Sequence, residues 1–194
     1  MDLAVNAYFD NVIETIAKMP LPTIDRIVTV LMRAYESSRM IYLFGNGGSA
    51  ALASHFACDL GKGATNGSAK RFQVLALTDN VPLMTAWAND ARYEDIFAEQ
   101  LSNFVRADDI AFAISCSGKS PNVLKALKLA RESGAFTIGL TGFEGGEMKD
   151  VCDLCLVVPS DNMQVIEDLH LSVTHAVFTA LRAKICNENS EAVA

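Results

Sequence analysis

Residues 40–50, MIYLFGNGGSA, contain the pattern that decides the fold, a short apolar run that stops at a glycine-rich turn. The run is too short for a typical helix and ends in glycine, so residues 40–44 are predicted to form a buried β-strand. Similar runs recur at 71–77, 110–115, 136–141 and 154–158. Helical patterns follow the GNGGS turn and cover roughly 81–88, 93–105, 121–133 and 163–185. This alternation predicts an α/β fold whose parallel sheet carries helices on both faces.

Two helices are predicted to precede the sheet. Residues 3–18 have apolar side chains at helical spacing and end before Pro20. Thr23 could cap a second helix that runs to about Ser38. No linker or repeat interrupts the chain, so residues 1–194 are interpreted as one domain. Its predicted parts are N-terminal helices at 1–38, an α/β core at 39–187 and a frayed polar tail at 188–194.

The charge balance argues against several classes of function. The chain carries 16 basic and 23 acidic residues and a formal net charge of -7, whereas a protein that tracks a nucleic-acid backbone needs a basic stripe. No segment approaches the ~20 consecutive apolar residues that span a bilayer. The N-terminal stretch lacks a basic region and is typical of an amphipathic helix rather than a signal peptide. We therefore expect a cytoplasmic protein that binds neither nucleic acid nor membrane.

The chain has five cysteines, and an odd number without a secretion signal indicates reduced thiols. Cys152 and Cys155 form a CxxC pair, a pattern used for redox chemistry or for zinc. The pair lies at the start of an apolar run that predicts a buried strand, and no second CxxC completes a metal site. A structural role is therefore favoured for the pair.

Two loops at the carboxyl ends of predicted strands are typical of phosphate sites. Residues 45–49, GNGGS, open a helix, whose N-terminal amides suit an anion. Residues 115–120, SCSGKS, combine three hydroxyl groups with a glycine and a lysine. Each loop alone is also consistent with a glycine turn or an ordinary serine cap. Because parallel strands place both loops at one edge of the sheet, anion binding is the better interpretation of the two together.

The three histidines fall in two acid-bearing helical stretches. His55 and Asp59 are four residues apart and share one helix face, as a hydrogen-bonded pair or as two metal ligands. On the last helix, Glu167 and His175 lie about 80° apart in projection and about 12 Å apart along the axis. One ion could join them only if both side chains were extended or if ligands came from different subunits. For a lone histidine, His170 included, a structural role is the common alternative.

Residues 88–90, Ala-Asn-Asp, form a polar island at the end of an apolar helical stretch. Asn89 could cap the C-terminus of that helix. Alternatively, Asp90 could accept hydrogen bonds from the hydroxyl groups of a sugar. The sequence leaves both interpretations open.

Taken in order, these motifs resemble a known family. The stretches that carry the resemblance are GNGGSA, HFACDL, AND, SCSGKSPNVLKAL, LTGFEGGEM and a late ExxHxxxxH. They are similar to the SIS (sugar isomerase) domain family and, within it, to the phosphoheptose isomerases, over nearly the whole chain. The resemblance implies a flavodoxin-like three-layer sandwich with a five-stranded parallel sheet after two N-terminal helices. It also implies a homotetramer with active sites between subunits.

The resemblance assigns roles to individual residues. His55, Asp59, Glu167 and His175 match the metal and catalytic positions, with Asp59 as candidate base and His175 as candidate acid. Zinc occupies that site in some members, so a divalent metal is the expected cofactor. The positions that match the substrate site are Asn46, Gly47, Gly48, Ser49, Asn89, Asp90, Ser115, Cys116, Ser117, Ser120 and Glu167. Within that set, the serine loop would hold the phosphate.

Four positions depart from the family pattern. The family usually has Glu at Asp59, Gln at Glu167 and Thr at Cys116, and it often has Arg at Gly63. The shorter carboxylate at Asp59 withdraws the base by one methylene, and positioning errors of that size can cost much rate. The extra acid at Glu167 would favour a bound cation or repel a phosphate placed too near.

The implied function is aldose–ketose isomerisation of a sugar phosphate through an enediolate. Sedoheptulose 7-phosphate and a heptose 7-phosphate are the expected pair. One alternative is a non-catalytic SIS protein that senses sugar phosphates or binds a protein partner, as one kind does with the bacterial replication initiator. His175 favours the enzyme. An isomerase for another sugar phosphate stays open, and a redox protein built on the CxxC pair is disfavoured.

Overall fold

The centre of the fold is a parallel five-stranded sheet. The computed structural model describes residues 3–64 and 70–191, with the side chains of 4–64 and 70–186. The strands are β1 Met40–Gly45, β2 Gln73–Ala76, β3 Ile110–Ile114, β4 Phe136–Thr141 and β5 Leu154–Val157. Their order is β2-β1-β3-β4-β5, and every pairing is parallel. The predicted sheet is confirmed, and this strand order is the flavodoxin-like one.

Helices flank the sheet and lead into it. Their bounds are α1 Leu3–Ile16, α2 Leu21–Glu36, α3 Gly48–Cys58, α4 Val81–Asp90, α5 Ala98–Phe104, α6 Pro121–Glu132, α7 Met148–Val151 and α8 Met163–Glu191. A π-helical turn, Asp59–Gly63, continues α3, and a 3₁₀ turn, Tyr93–Asp95, precedes α5. Among the described residues, no helix is both long and apolar enough to cross a membrane.

Several boundaries differ from the sequence-based predictions. Helix α2 starts at Leu21 and Thr23 is not its cap, because Pro20 and Pro22 fix a backbone suited to a helix start. The helix predicted over 93–105 is broken into a 3₁₀ turn and α5. The tail predicted as frayed at 188–194 is helical as far as Glu191, since no Gly or Pro stops α8, and residues 192–194 lie outside the described residues. Helix α7 was missed, because four residues are too few to show a period.

The pleat of the strands divides the core into two layers. On β1, Ile41 and Leu43 pack with α2, α3 and α8, whereas Tyr42 and Phe44 pack on the opposite face with α5 and α6. Alternate side chains of a strand point to opposite faces, so one apolar run serves both layers. The N-terminal helices join the first layer, and Tyr8 on α1 hydrogen-bonds Asp168 on α8 at 2.5 Å.

The sheet order positions the candidate site. The connection direction reverses between β1 and β3, which are neighbours in the sheet. Ligands of open α/β sheets bind in the crevice at such a switch point, beyond the carboxyl ends of the strands. The GNGGS loop follows β1 and the SCSGKS loop follows β3, so the two loops chosen from the sequence flank the switch point.

Candidate active site

The two candidate phosphate loops are joined by a pair of side-chain amides. Asn46 Nδ2 donates to Asn122 Oδ1 at 2.9 Å, and Asn122 Nδ2 donates back to Asn46 Oδ1 at 2.8 Å. Asn122 is 1% exposed, and its Oδ1 also accepts from the backbone N–H of Val123 at 3.0 Å. The hydroxyl of Tyr93 donates to Asn46 Oδ1 at 3.1 Å. This network ties the start of α6 to the loop that opens α3.

Close backbone packing shapes the serine loop. Gly118 has a φ of +62°, and a Cβ at this position would overlap the carbonyl oxygen of Gly145. The backbone N–H of Met148 donates to the Gly118 carbonyl at 3.1 Å. The third glycine-rich segment, residues 142–147, therefore supports the serine loop from behind. Only glycine combines this φ with this closeness.

The serine loop lines a small cavity of about 160 Å³. Its polar lining includes Asn46, Ser49, Ser115, Cys116, Ser117, Ser120 and Glu167. Ser120 stands at the N-cap position of α6, yet its side chain makes no capping bond and instead lies 3.2 Å from the Ser115 hydroxyl. The ordinary-cap alternative therefore does not account for Ser120. Its hydroxyl group is available to a ligand in this cavity.

Glu167 lies between the serine loop and the histidine end of α3, since it lines the serine cavity and also a second cavity of about 350 Å³ together with His55 and His170. Its Oε1 is 3.1 Å from the point where a Cβ of Gly48 would stand, and its carboxylate lines the serine cavity. Burial raises the pKa of Cys116, and the negative charge of Glu167 raises it further, while a hydrogen bond with Ser49 opposes both effects. The structure thus places Glu167 beside three predicted substrate positions.

His55, Asp59 and His175 converge at the other end of α3. Each offers a ligand atom, and these atoms lie within 4.8 Å of one another. The two Nε2 atoms of the histidines are 2.9 Å apart, and Asp59 Oδ2 is 3.4 Å from that of His55 and 3.9 Å from that of His175. Helix α3 carries His55, the π-helical turn carries Asp59, and α8 carries His175.

This group fits a divalent metal on chemical grounds. Asp59 Oδ2 is buried and has no hydrogen-bond partner within residues 3–64 and 70–191, which is costly for a carboxylate oxygen unless a cation satisfies it. Two imidazole nitrogens and one carboxylate oxygen are a usual ligand set of catalytic zinc, which keeps a fourth position open. Of the four predicted metal ligands, the structure brings three together and leaves Glu167 out of the group.

Two other predicted residues stay apart from the loops. Asn89 and Asp90 are exposed at the end of α4, and Asn89 Nδ2 donates to Asp90 Oδ1 at 2.7 Å. Asn89 is not a helix C-cap, since α4 runs through Asp90 and Ala91 takes that position. Their predicted role as sugar contacts stays a prediction.

Packing against α8 explains why glycine suits position 63, where the family often has arginine. A Cβ on Gly63 would stand 2.8 Å from the ring of Phe178 on α8. A larger side chain at this position would collide with that ring. The departure at Gly63 is therefore accompanied by an aromatic residue that takes up the space.

The sequence analysis missed Asn122, Tyr93 and the environment of His170. For Asn122 the sequence did carry a signal, because this residue follows the serine loop directly, in the first turn of α6.

His170 is 1% exposed, and neither ring nitrogen makes a hydrogen bond of normal geometry within the described residues. Burial lowers the pKa of His170 to about 4, with a partial offset from the backbone of Thr141. His170 is therefore neutral at pH 7.

Comparisons with known proteins agree with one another. Residues 6–142 match the family model described as SIS domain. A phosphoheptose isomerase of Bradyrhizobium sp. is 37% identical over 88% of this chain and 85% of its own length, and one of Rhodospirillum rubrum is 39% identical over 86% and 88%. A solved structure of a phosphoheptose isomerase from Francisella tularensis has a TM-score of 0.87 at 29% identity, covering 93% of this chain and 97% of that one.

Proposed function

Because the chain belongs to the SIS domain family, we propose that it is an aldose–ketose isomerase that interconverts sedoheptulose 7-phosphate and D-glycero-D-manno-heptose 7-phosphate. The predicted family and fold are confirmed, and the similar proteins named above are phosphoheptose isomerases. The observation that carries the proposal is the convergence of His55, Asp59 and His175 at one end of a helix whose other end adjoins the serine cavity.

The separation of these two features suits a phosphorylated sugar. Gly48 and His55 are seven residues apart on α3, which is roughly 10 Å along the helix axis. In a seven-carbon sugar 7-phosphate, the phosphate and the carbonyl end lie at opposite ends of the chain. Binding the phosphate among the serines would place the reacting carbons near the histidines. The phosphate contact, although remote from the reacting carbons, would thereby hold them in position for proton transfer.

The reaction needs one group that moves a proton between adjacent carbons and another that moves protons between their oxygens. We assign the first task to the Asp59 carboxylate and the second to His175, whose side chain is 50% exposed and so open to a ligand. Proton removal gives an enediolate, and return of the proton to the neighbouring carbon completes the isomerisation. The Nε2 of His55, 2.9 Å from that of His175, would orient that ring.

We further propose that the site holds a divalent metal, with zinc as the first candidate. His55, Asp59 and His175 would be its protein ligands, as their convergence and the unpartnered Asp59 oxygen support. Because an atom bound to the ion cannot also carry a proton, the metal role and the acid–base roles of Asp59 and His175 are alternatives, and turnover measured with zinc and with a chelator distinguishes them. When bound, such an ion supplies positive charge that stabilises negative oxygens of a ligand. Glu167 would act at the substrate instead, beside the serine loop.

The surface of α1 supports an oligomer, and we propose a homotetramer. Val5, Phe9, Ile13 and Ile16 share one face of α1, and each is more than half exposed. An apolar stripe of this kind marks an interaction surface. We also propose the cytoplasm as the location, since the five cysteines, all within the described residues, form no disulfide bond, as is usual in a reducing compartment.

The test follows aldose formation from sedoheptulose 7-phosphate by purified protein, with added zinc and with a chelator. We expect turnover in the wild type and a loss of at least about 100-fold in His175→Ala, the low end for a general acid–base group. Ser172→Ala is the matched control, because Ser172 is exposed on the same helix and, among the described residues, its hydroxyl donates to the Asp168 carbonyl alone. Binding of the sugar without turnover under every metal condition would refute the isomerase and favour the non-catalytic alternative.

A further inference from the structure

Cys152 and Cys155 place their sulfur atoms against one point of the sheet. Gly139 on β4 lies opposite Cys155 on β5. A Cβ built on Gly139 would stand 2.9 Å from the Sγ of Cys152 and 3.3 Å from the Sγ of Cys155. The missing side chain of Gly139 leaves the space into which the two sulfur atoms project. The pair is therefore close in space as well as in sequence.

The backbone between the two cysteines is fixed. The Oδ2 of Asp153 accepts hydrogen bonds from the Thr137 backbone N–H at 2.8 Å and from the Thr137 hydroxyl at 2.7 Å. The Asp153 N–H donates back to Thr137 Oγ1 at 2.9 Å. Leu154 is buried in the core. Because the intervening residues are held on both sides, the closeness of the thiols is a property of the fold.

Both cysteines are partly exposed at the edge of the sheet. Strand β5 is at an edge of the sheet, and Cys155 points to the face opposite the buried Leu154 and Leu156. Cys152 follows α7, and both cysteines are half-buried. A small reagent can therefore approach the pair from the edge, which a fully buried structural cysteine would not allow.

The two thiols have different chemical characters. The hydrogen bond from Cys152, with help from the charge of Lys149, lowers the pKa of Cys155 against the effects of burial and Asp150. The same hydrogen bond, with burial, raises the pKa of Cys152 despite the nearby Arg131. A low-pKa thiol beside a protonated one is the arrangement of a nucleophilic and a resolving cysteine.

We propose that Cys152 and Cys155 form a reversible dithiol–disulfide site that reacts with small-molecule disulfides such as glutathione disulfide. The Cys155 thiolate attacks one sulfur of the reagent, forms a mixed disulfide and releases one glutathione thiolate. The Cys152 thiol then loses its proton and attacks the Cys155 sulfur, forming the internal disulfide and releasing the second glutathione thiolate. The two electrons lost by the protein reduce the reagent.

The surroundings favour this chemistry over zinc binding. Within the part of the chain that the structure describes, the group of three or more potential metal ligands is His55, Asp59 and His175. Cys152 and Cys155 belong to no such group. Two thiolates alone do not complete the four-ligand set of structural zinc.

The test treats the reduced full-length chain with glutathione disulfide, quenches it with acid, alkylates the remaining thiols and maps them by peptide mass spectrometry. We expect the wild type to form a Cys152–Cys155 link that dithiothreitol reverses. Cys152→Ser should accumulate a glutathione adduct at Cys155, because no resolving thiol remains. Cys155→Ser should react several-fold more slowly at Cys152.

The exposed Cys58 supplies the internal reference, and Cys58→Ser is the matched control, which should leave the link unchanged. The proposal is overturned if Cys152 and Cys155 stay fully alkylated while Cys58 has formed adducts. It is also overturned if Cys155→Ser forms an adduct at Cys152 as fast as Cys152→Ser does at Cys155. The mapping of the wild type alone decides the first point, so it does not depend on how well the variants fold.

Discussion

Replacing Asp59 by asparagine tests the proposed metal site through stability as well as activity. The change keeps the shape of the side chain and removes its charge. In the metal-free protein, Asp59 Oδ2 is buried, has no hydrogen-bond partner among the described residues and lies 3.4 Å and 3.9 Å from the two histidine nitrogens. Because the side chain is 22% exposed and this oxygen has no hydrogen bond to lose, we expect the free energy of unfolding to stay nearly constant.

When zinc is present, we expect Asp59→Asn to be less stable than the wild type. At a free zinc concentration 100 times the dissociation constant, binding stabilises the wild type by about 2.7 kcal/mol. For a chain of this size that raises Tm by about 5–10 °C. If the loss of one of three ligands weakens binding about 100-fold, the same zinc concentration stabilises Asp59→Asn by only about 0.4 kcal/mol.

Thermal unfolding followed by circular dichroism, with zinc and with a chelator, measures both effects. The protein concentration must be equal in all samples, because the Tm of an oligomer depends on it. Cys152→Ser is the matched control, since the only CxxC pair of the sequence is the most obvious competing zinc site. It should keep the full zinc-dependent shift.

Two results would refute the reasoning. One is a zinc-dependent shift that survives Asp59→Asn and disappears in Cys152→Ser, which would place the ion at the cysteines. The other is a metal-free Asp59→Asn protein destabilised by more than about 1 kcal/mol, the net value of an ordinary hydrogen bond, which would mean that the carboxylate has a partner in the fold.

Three further predictions address other parts of the site. Ser120→Ala should raise the KM for the sugar phosphate about tenfold, which corresponds to the loss of one hydrogen bond to a charged group. The free energy of unfolding should fall by no more than about 1 kcal/mol, because Ser120 makes no capping bond and loses, among the described residues, only its contact with the Ser115 hydroxyl. Ser133→Ala at the other end of α6 is the control, and an unchanged KM in Ser120→Ala contradicts the phosphate role. Glu167→Gln should lower the KM several-fold at low ionic strength, because it removes a negative charge that repels the phosphate. The change in KM should be smaller in salt, which already screens that repulsion in the wild type. A higher KM would show that the carboxylate binds the sugar favourably. The pKa of His170 is about 4 in the folded chain, against an ordinary value of 6.5, so the unfolded state binds more protons between these pH values. The free energy of unfolding should therefore fall by about 2 kcal/mol from pH 7 to pH 5. Urea unfolding at the two pH values measures this change, and His170→Gln should remove that part of the pH dependence.

The fold could be predicted from the sequence because its signals are local. Each strand is a short apolar run ended by a turn residue, and the alternation with helices leaves few topologies. The predictions failed where the signal was weak or where tertiary packing decides. Helix α7 is too short to show a period, and the break before Ala98 has no local Gly or Pro to mark it.

The candidate site could be predicted only in part. The i, i+4 spacing of His55 and Asp59 is a property of one helix and follows from the sequence. The meeting of His175 with them depends on how α8 packs against α3, which the resemblance implied but no spacing rule gives. For Glu167, helix geometry was a better guide than the family resemblance, which implied a metal ligand, because an axial separation of about 12 Å keeps its side chain away from that of His175. The structure keeps them in different groups.

Two of the four departures from the family pattern, at Gly63 and Glu167, make the local charge more negative. Gly63 leaves its position without the positive charge of an arginine, and the ring of Phe178 occupies the space that a larger side chain would need. Glu167 adds a carboxylate to the cavity that the serines line. The predicted phosphate loop itself offers hydroxyl groups, helix N-terminal amides and one cation, Lys119. Such a site recognises a phosphate by the geometry of its hydrogen bonds, and each serine then carries a larger share of the affinity than it would beside an arginine.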